Sequence, residues 1–389
     1  MLHIGLECLL RTNPAWLKNK RLALLSNQAS TGRDLRHTRF HIEEHFPGQL
    51  TCLFSPQHGF FAEKQDNMIE SAHHTDPETG LMVYSLYGDS RRPERHMYDH
   101  FDVLLIDIVD VGTRVYTFLY TMAYCLEMAA ETGKKVVVLD RPNPVGGEMV
   151  EGNILEPEWT SFVGLYPLPM RHGLTFGELA LFINSEFCIG ADLEVIAMEG
   201  WSRSMLFRDT GFPWVFPSPN MPTPETALVY PGQVIWEGTT VSEGRGTTMP
   251  FELFGAPYWN CKEILNILDA TPLPGCYLRP ISFEPTSGKY GEITCRGFQL
   301  HVTEPGKFMP YRTSLAILQA VIHLSPDEFE YKKTPYEYEF ERLPMDLILG
   351  SQRVRTEIEA MKPIMEIEGS WQQELQEFRE IRKRYLLYQ

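Results

Sequence analysis

The chain has 389 residues, of which 43% are hydrophobic, and its 35 basic and 51 acidic residues give a formal net charge of -16. This composition is typical of a globular protein with a buried core, and the length predicts two or three domains. The acidic balance argues against nucleic acid as a partner, and no apolar run is long enough for insertion into a membrane.

The first half alternates short apolar runs with helical patterns, which is typical of a parallel sheet with crossover helices. The predicted strands are Arg21–Ser26, Leu50–Phe54, Leu81–Ser85, Asp102–Ile108, Lys135–Leu139 and Leu193–Ala197. Apolar residues at helical spacing predict a helix over Thr113–Thr132, and Thr175 with Glu178 predicts a capping box at the start of another. We therefore expect an α/β fold with a Rossmann-like sheet. No GxGxxG motif opens a helix, so no dinucleotide cofactor is expected.

The second half begins with a change of composition. The run FPWVFPSPNMPTPETALVYPG is rich in proline and predicts one long rigid loop. We place a domain boundary near Tyr230, which gives a Rossmann-like domain over residues 1–230 and a smaller α+β domain over residues 231–389. Further predicted elements are strands at Tyr277–Phe283 and Phe298–Val302 and helices at Tyr311–His323, Met345–Met361 and Trp371–Leu387.

The cysteines and the N-terminal segment bear on the cellular compartment. Seven scattered cysteines without a CxxC pair or a Cys/His cluster indicate neither a disulfide framework nor a metal site. The N-terminal residues show no basic leader and no cleavage site. The expectation is a cytoplasmic protein as written, exported only if a leader was removed, and a monomer or weak homo-oligomer.

Polar residues collect where four of the predicted strands end. Ligands of open α/β sheets bind beyond the carboxyl ends of the strands, so these residues are candidates for a site. They are Asn27, Gln57, His58, Glu63, Asp107, Asp110, Arg114, Tyr116, Asp140, Arg141 and Asn143. Each cluster also has a structural interpretation, such as a helix cap for Asp110 or a stiffened turn for the DRPNP segment. A single pocket would explain all four clusters together.

The second half adds a segment, WEGTTVSEGRGTT, that mixes Glu237, Glu243 and Arg245 with three glycines. Glycines let backbone approach a ligand closely, but two nearby glutamates argue against a phosphate. Asn220 in the proline-rich run is a further candidate.

Six segments resemble, in this order along the chain, the motifs of the exo-β-N-acetylmuramidases. They are SPQHGF, DVLLIDIVDVGTRVYTF, LDRPNPVGG, SPNMPT, ALVYPG and WEGTTVSEGRGTTMPFE. The resemblance covers essentially the whole chain, and it implies an active site in the cleft between the two domains. It implies hydrolysis, without a metal or cofactor, that removes a non-reducing-end N-acetylmuramic acid linked β-1,4 to N-acetylglucosamine in peptidoglycan fragments. A muramyl-containing saccharide is therefore the expected partner, and cell-wall recycling the expected context.

One residue departs from the family pattern: Gln57 stands where the family typically has glutamate. An amide cannot transfer a proton or form a glycosyl ester, whereas glycoside hydrolysis usually needs two carboxyl groups. One hypothesis is that Gln57 orients the acetamido group of the substrate while Asp110 or Glu243 acts as the acid. The predicted catalytic group is Gln57, His58, Glu63, Asp110 and Glu243. The predicted substrate-binding group is Asn27, Asp107, Arg114, Tyr116, Asp140, Arg141, Asn143, Asn220, Glu237 and Arg245.

Within that binding group, Arg114 and Arg245 are the candidates for the lactyl carboxylate of muramic acid, because a planar guanidinium pairs bidentately with such a group. Tyr116 is expected to stack on the sugar or hydrogen-bond it. Two alternatives to hydrolysis stay open. The first is a catalytically impaired protein that still binds muramyl sugars, and Gln57 favours it. The second is an α/β enzyme that acts on another acetylated or acidic sugar.

Overall fold

The computed structural model describes residues 2–65, 68–88 and 90–389. The strands are β1 Leu22–Ser26, β2 Leu50–Ser55, β3 His74–Thr75, β4 Met82–Ser85, β5 Val103–Asp107, β6 Lys135–Leu139, β7 Glu151–Ile154, β8 Pro169–Arg171, β9 Asp192–Ile196, β10 Leu253–Ala256, β11 Cys276–Phe283 and β12 Cys295–Val302. The α-helices are α1 Gly5–Thr12, α2 Thr38–His45, α3 Phe118–Thr132, α4 Phe176–Glu186, α5 Pro224–Gln233, α6 Cys261–Leu268, α7 Pro310–Leu324, α8 Pro344–Leu349, α9 Gln352–Glu359, α10 Ile364–Gly369 and α11 Gln372–Arg382.

The main sheet has seven strands in the order β3-β4-β2-β1-β5-β6-β9. All of them run parallel except β3, which pairs antiparallel with β4 at the edge. Counted along the chain, the six parallel strands follow the order 3-2-1-4-5-6 of a doubly wound Rossmann sheet, in which the strand order reverses between β1 and β5. The apolar sequence of β5 is buried along its whole length, as expected for a strand covered on both faces.

The second half builds a smaller antiparallel sheet in the order β10-β12-β11, with α6 and α7 packed nearby. The predicted class, a Rossmann-like α/β sheet with a smaller α+β unit, is confirmed. One hydrophobic cluster includes Leu104 in the main sheet, Trp236 after α5 and Phe298 in the small sheet. The predicted boundary near Tyr230 falls inside α5, and a division of the chain at that point stays a prediction. In the described part of the chain, no helix is long and apolar enough to cross a membrane.

Five predicted elements differ from those of the structure. The strand predicted from Phe298 begins at Cys295, and the helix predicted to Leu387 ends at Arg382. The other three differences have a local cause. The helix predicted from Thr113 begins only at Phe118, because the backbone N–H of Arg114 donates to Met170 O (2.8 Å) and Thr113 forms a bridge with Arg171. The predicted helix over Met345–Met361 is broken at Gly350, whose φ of +67° ends α8. The proline-rich run is not a loop throughout, since Pro224 at the first helical position and Thr223 as N-cap start α5.

Candidate active site

A cavity lies beyond the carboxyl ends of β2 and β5, with an empty volume of about 480 Å³ that includes open solvent at its mouth. Both halves of the chain contribute to its walls. The lining residues are Gln57, His58, Val115, Tyr116, Thr117, Phe118, Val163, Ser218, Asn220, Met221, Tyr230, Glu237, Arg245, Phe251, Tyr336 and Glu337. We call it the inner cavity. Its position next to the point where the strand order reverses is the usual ligand position of such sheets.

Gln57 follows β2 and is held from both ends of its side-chain amide. Its Oε1 accepts a hydrogen bond from the Thr117 hydroxyl (2.5 Å). Its Nε2 donates to Glu337 Oε1 (3.1 Å) and to the Tyr87 hydroxyl oxygen (3.1 Å). Because these protein groups already occupy the amide, Gln57 orients Glu337, and the hypothesis that it orients the acetamido group of a substrate is not supported.

Glu337 is a buried carboxyl group that reaches the inner cavity from a loop of the second half. Besides the bond from Gln57, its Oε2 accepts a hydrogen bond from the Tyr87 hydroxyl (2.7 Å). Burial raises the pKa of Glu337 above its usual value, although these two hydrogen bonds act in the opposite direction. The backbone φ angles of Glu337 (+46°) and Tyr338 (+64°) are left-handed. Such strained backbone is concentrated at functional sites, where the surrounding structure holds it in place.

Glu237 is the second carboxyl group in the wall of the inner cavity. Its Oε1 lies 2.7 Å from Arg245 Nη2, and its Oε2 accepts a hydrogen bond from the Tyr336 hydroxyl (2.8 Å). Burial alone would raise the pKa of Glu237, but the Arg245 guanidinium outweighs it and holds this pKa below its usual value.

The inner cavity therefore holds two carboxyl groups with opposite pKa shifts. Burial raises the pKa of Glu337 and so favours its protonated form. Arg245, with Tyr336 and Lys332, lowers the pKa of Glu237 and favours its ionised form. When environments push the pKa values of two carboxyl groups apart, one is suited to donate a proton and the other to act as a base or nucleophile. The pair has the chemistry that glycoside hydrolysis requires.

Glu243 lies beside the inner cavity and not in its lining. It accepts from Arg245 Nε (3.2 Å) and from the Lys289 ammonium (2.7 Å). It lines a wider neighbouring groove of about 1360 Å³, together with Met68, Glu237, Thr239, Thr240, Arg245, Gly288, Lys289, Tyr290, Lys332 and Tyr336. We call this the outer groove, and it shares Glu237, Arg245 and Tyr336 with the inner cavity.

Three further predicted residues, His58, Tyr116 and Asn220, line the inner cavity. His58 has a left-handed φ of +75°, and its Nδ1 is 2.8 Å from Lys64 O. The Tyr116 ring packs edge-on against Tyr230, with centroids 5.8 Å apart. Asn220 donates through Nδ2 to Gln65 O (3.1 Å). Their place in the wall leaves them as candidates for sugar contact.

The predicted binding residues Asp107 and Arg141 form a buried ion pair that takes no part in the lining. Arg141 donates to both carboxylate oxygens of Asp107, and its Nη2 lies 2.8 Å from Asp107 Oδ2. The same Nη2 also donates to Thr31 O (3.0 Å). The Thr38 hydroxyl also donates to Asp107. These bonds tie the loops that follow neighbouring strands, so the structure corrects the predicted role of both residues in binding.

Asn27, Asp140 and Asn143 are likewise buried outside the inner cavity. Asp140 accepts from the Thr175 hydroxyl (2.7 Å) and from the backbone N–H of Gly177 (2.7 Å), so it stabilises the start of α4 beside the confirmed capping box. The side-chain amides of Asn27 and Asn143 donate to the carbonyls of Val109 and Leu174. Each of these residues holds a turn, and the structural interpretation of these clusters replaces the functional one.

Asp110 and Glu63 are also outside the lining. Asp110 is buried, it accepts from the backbone N–H of Gly112 (2.8 Å), and burial raises its pKa to about 7. Glu63 is exposed and accepts from the backbone N–H of Phe61 (3.2 Å). Neither lines the inner cavity, and their predicted catalytic role stays a prediction.

Arg114 is a correction of a different kind, because its guanidinium is fully buried among carbonyl groups. Nη1 donates to Asn153 O and Leu168 O (both 2.9 Å). Nη2 donates to Ile348 O (3.1 Å) and Leu349 O (2.7 Å). The side chain thus joins the end of α8 to the β7–β8 region, and it is not available to a substrate carboxylate.

We expect Arg114→Met to lower the free energy of unfolding by at least about 3 kcal/mol, because four buried carbonyls lose a charged donor. Urea unfolding followed by circular dichroism measures this loss. Arg95→Met, at an exposed arginine, is the matched control and should change the free energy by less than about 0.5 kcal/mol. A folded Arg114→Met variant of unchanged stability that fails to bind substrate would restore the binding role predicted from sequence.

Sequence reasoning missed Glu337, Tyr87, whose hydroxyl donates to Glu337, and Thr117, whose hydroxyl donates to Gln57. Glu337 lies in the segment YEYEFE, where acidic and aromatic residues alternate after Pro335. This alternation is the sequence signal that could have indicated Glu337 as a site residue. Nothing local connects it with Gln57, which is 280 residues away in the chain.

Comparisons with known proteins agree with this geometry. Residues 22–225 match the family model described as exo-beta-N-acetylmuramidase NamZ, N-terminal, and residues 228–388 match the corresponding C-terminal model. The chain is 44% identical over 384 residues to the peptidoglycan beta-N-acetylmuramidase NamZ of Bacillus subtilis, a match that covers 99% of this chain and 91% of that protein.

Two solved structures of DUF1343 family proteins from Bacteroides fragilis are similar along the entire chain. The first has a TM-score of 0.90 at 33% identity, and the second has a TM-score of 0.78 at 31% identity. In both cases the match covers 100% of this chain and 99% of the other.

Proposed function

Because the chain belongs to the exo-β-N-acetylmuramidase family, with both family models matched in order, we propose that it removes non-reducing-end N-acetylmuramic acid from peptidoglycan fragments. The family assignment made from sequence motifs is confirmed, and the chain is a glycosidase. The observation that carries the proposal is the pair of carboxyl groups, Glu337 and Glu237, that face one cavity with pKa values shifted in opposite directions.

Glu337 is the acid in this proposal. Burial raises its pKa, which favours the protonated form, and this form donates its proton to the glycosidic oxygen as the bond to the leaving sugar breaks. Gln57 and Tyr87 fix the position of the carboxyl group, so little motion is needed before transfer. Glu237 is the ionised partner, which stabilises positive charge on the sugar and either attacks carbon or activates water.

Arg245 is the residue proposed to recognise the lactyl carboxylate of muramic acid. Two of its guanidinium nitrogens are bound to Glu237 and Glu243, while Nη1 has no hydrogen bond among the residues that the structure describes. A substrate carboxylate would be a third acceptor for this planar group. Recognition of this kind distinguishes a muramide from a glucosaminide, which has no lactyl group.

The alternative of a muramyl-binding protein without activity rested on Gln57. The Gln57 amide contacts Glu337, which is a carboxylic acid. The site therefore has an acid even though position 57 has no carboxyl group. The alternative of an enzyme of another family is overturned, because both family models match the chain.

The experiment that tests the function compares a chromogenic β-N-acetylmuramide with the matching β-N-acetylglucosaminide. We expect release of product from the muramide and at least about tenfold slower release from the glucosaminide, which lacks the carboxylate that Arg245 would bind. Equal turnover of both would remove the proposed role of Arg245. Binding of the muramide by calorimetry without any turnover would bring back the inactive binding protein.

A further inference from the structure

The outer groove contains one cation, Lys332, that has no hydrogen bond or ion pair in the part of the chain that the structure describes, although its charge contributes to the lowered pKa of Glu237. We infer that the groove binds the leaving part of the saccharide and that Lys332 pairs there with a carboxylate of that part. The inference rests on the proposed hydrolysis of muramyl saccharides and adds a preference for an acidic leaving group.

The groove is continuous with the inner cavity through three shared residues, Glu237, Arg245 and Tyr336. Glu237 belongs to the proposed catalytic pair, so a sugar bound in the inner cavity has its scissile bond near this shared wall. The departing sugars must then extend into the wider space beside it. Without the open solvent, the groove has a volume of about 680 Å³, which lies within the range of about 300–1,000 Å³ of pockets for drug-sized ligands.

The other charged groups of the groove neutralise each other in one chain of contacts. Arg245 binds Glu237 and Glu243, and Glu243 in turn binds Lys289. All three ammonium donors of Lys289 are in use, since it also donates to Trp236 O (2.7 Å) and Val241 O (3.0 Å). Two cations and two carboxylates leave no net charge and no ammonium donor for a ligand.

Lys332 differs from Lys289 in each of these respects. It is half-buried, and its ammonium has no hydrogen bond or ion pair within residues 2–65, 68–88 and 90–389. The Nζ atom lies 5.3 Å from the centroid of the Tyr336 ring. The hydroxyl of Tyr336 donates a hydrogen bond to Glu237. The groove therefore carries one surplus positive charge, close to the proposed catalytic pair, in a protein whose net charge is -16.

The proposed substrate can supply a carboxylate that pairs with Lys332. Peptidoglycan fragments longer than a disaccharide carry a second muramyl unit on the leaving side, with a carboxylate on its lactyl group or on an attached peptide. A partly exposed ion pair of this kind changes affinity by about three- to tenfold. The consequence is faster cleavage of acidic oligosaccharides than of neutral ones.

The test measures kcat/KM for three substrates that share the same terminal muramyl group. They are a muramyl oligosaccharide with a second muramyl carboxylate, the same compound with that carboxyl reduced to an alcohol, and an uncharged aryl muramide. We expect the wild-type enzyme to prefer the acidic compound over the reduced one by about three- to tenfold. Lys332→Ala should remove this preference, which is measured as the ratio of kcat/KM for the acidic and the reduced compound. The aryl muramide reports any change common to all three substrates, since the charge of Lys332 also acts on Glu237.

Two variants serve as controls. Lys332→Arg keeps the charge and should keep the preference, whereas Lys333→Ala removes a neighbouring exposed lysine outside the groove and should change nothing. A peptide-bearing form of the acidic compound decides which carboxylate is bound, because only a peptide carboxylate would make it better than the peptide-free form.

A preference that survives in Lys332→Ala overturns the inference, and so does its absence in the wild type. An equal loss on all three compounds would also overturn it, because Lys332 would then act on Glu237 or on the terminal sugar that they share. Failure of the wild type on all three compounds would instead contradict the proposed function.

Discussion

Replacing Glu337 with glutamine is expected to lower kcat for a muramyl disaccharide by about 10²- to 10⁴-fold, the usual contribution of a general acid. Glutamine keeps the volume, and its single carbonyl oxygen can accept one of the two hydrogen bonds that Gln57 and Tyr87 donate, but it has no acidic proton to give. An aryl muramide with an acidic phenol as leaving group needs little protonation, so its loss should be much smaller. Steady-state kinetics on both substrates measure the difference.

Glu341→Gln, at an exposed glutamate four residues further along, is the matched control and should leave kcat unchanged. Equal losses on both substrates for Glu337→Gln would mean that Glu337 is not the acid.

The pH dependence of kcat/KM is a second test of the two roles. Wild-type kcat/KM should fall at alkaline pH as Glu337 loses its proton above its raised pKa, and at acidic pH as Glu237 gains one below its lowered pKa. Glu337→Gln should lose the alkaline fall and keep the acidic one.

Replacing Glu237 with glutamine is the second large effect, and we expect kcat to fall by about 10²- to 10⁴-fold on both substrates. The carboxylate is needed to stabilise the charged transition state whatever the leaving group, so an activated aryl group should not compensate. Kinetics on the disaccharide and the aryl muramide, with a melting curve to confirm folding, measure this.

Glu243→Gln is the control for this variant, because Glu243 binds the same arginine but lies outside the inner cavity. We expect it to retain most of the activity. If Glu243→Gln were as damaging as Glu237→Gln, the effect of both would come from a displaced Arg245, and Glu237 would lose its proposed chemical role.

The main sheet was predictable from sequence because its strands are short apolar runs bounded by polar turns. The six predicted strands of the first half agree with β1, β2, β4, β5, β6 and β9 to within one residue at each end. Helix ends were less predictable where tertiary bonds compete with the helix. At Thr113 and Arg114, pairing with the β8 segment replaces the first turns of the predicted helix.

The candidate site was predictable only in part. The edge of the sheet was the right place, and Gln57, His58 and Tyr116 do line the inner cavity. Composition does not tell which polar side chains at that edge point into the cavity and which hold the loops. The ion pair of Asp107 and Arg141 illustrates this, because buried charges that satisfy each other have the same sequence signature as a ligand site.

Glu337 was beyond the reach of sequence patterns for a different reason. Its contacts with Gln57 and Tyr87 join segments 280 and 250 residues apart, and neither segment has a periodicity that indicates the other. What distinguishes this glutamate from its exposed neighbours is its burial and its partners, both of which arise only when the two halves of the chain meet.

The amide at position 57 also determines how the acid titrates. A carboxyl group in that place would share a proton with Glu337, and the two would titrate as a pair with macroscopic pKa values that belong to neither residue. Gln57 has no proton to exchange over the physiological range, so it donates the same hydrogen bond at every pH. Glu337 therefore titrates without a titrating partner at position 57. The nearby carboxylate that shifts its pKa is Glu237, whose negative charge raises it.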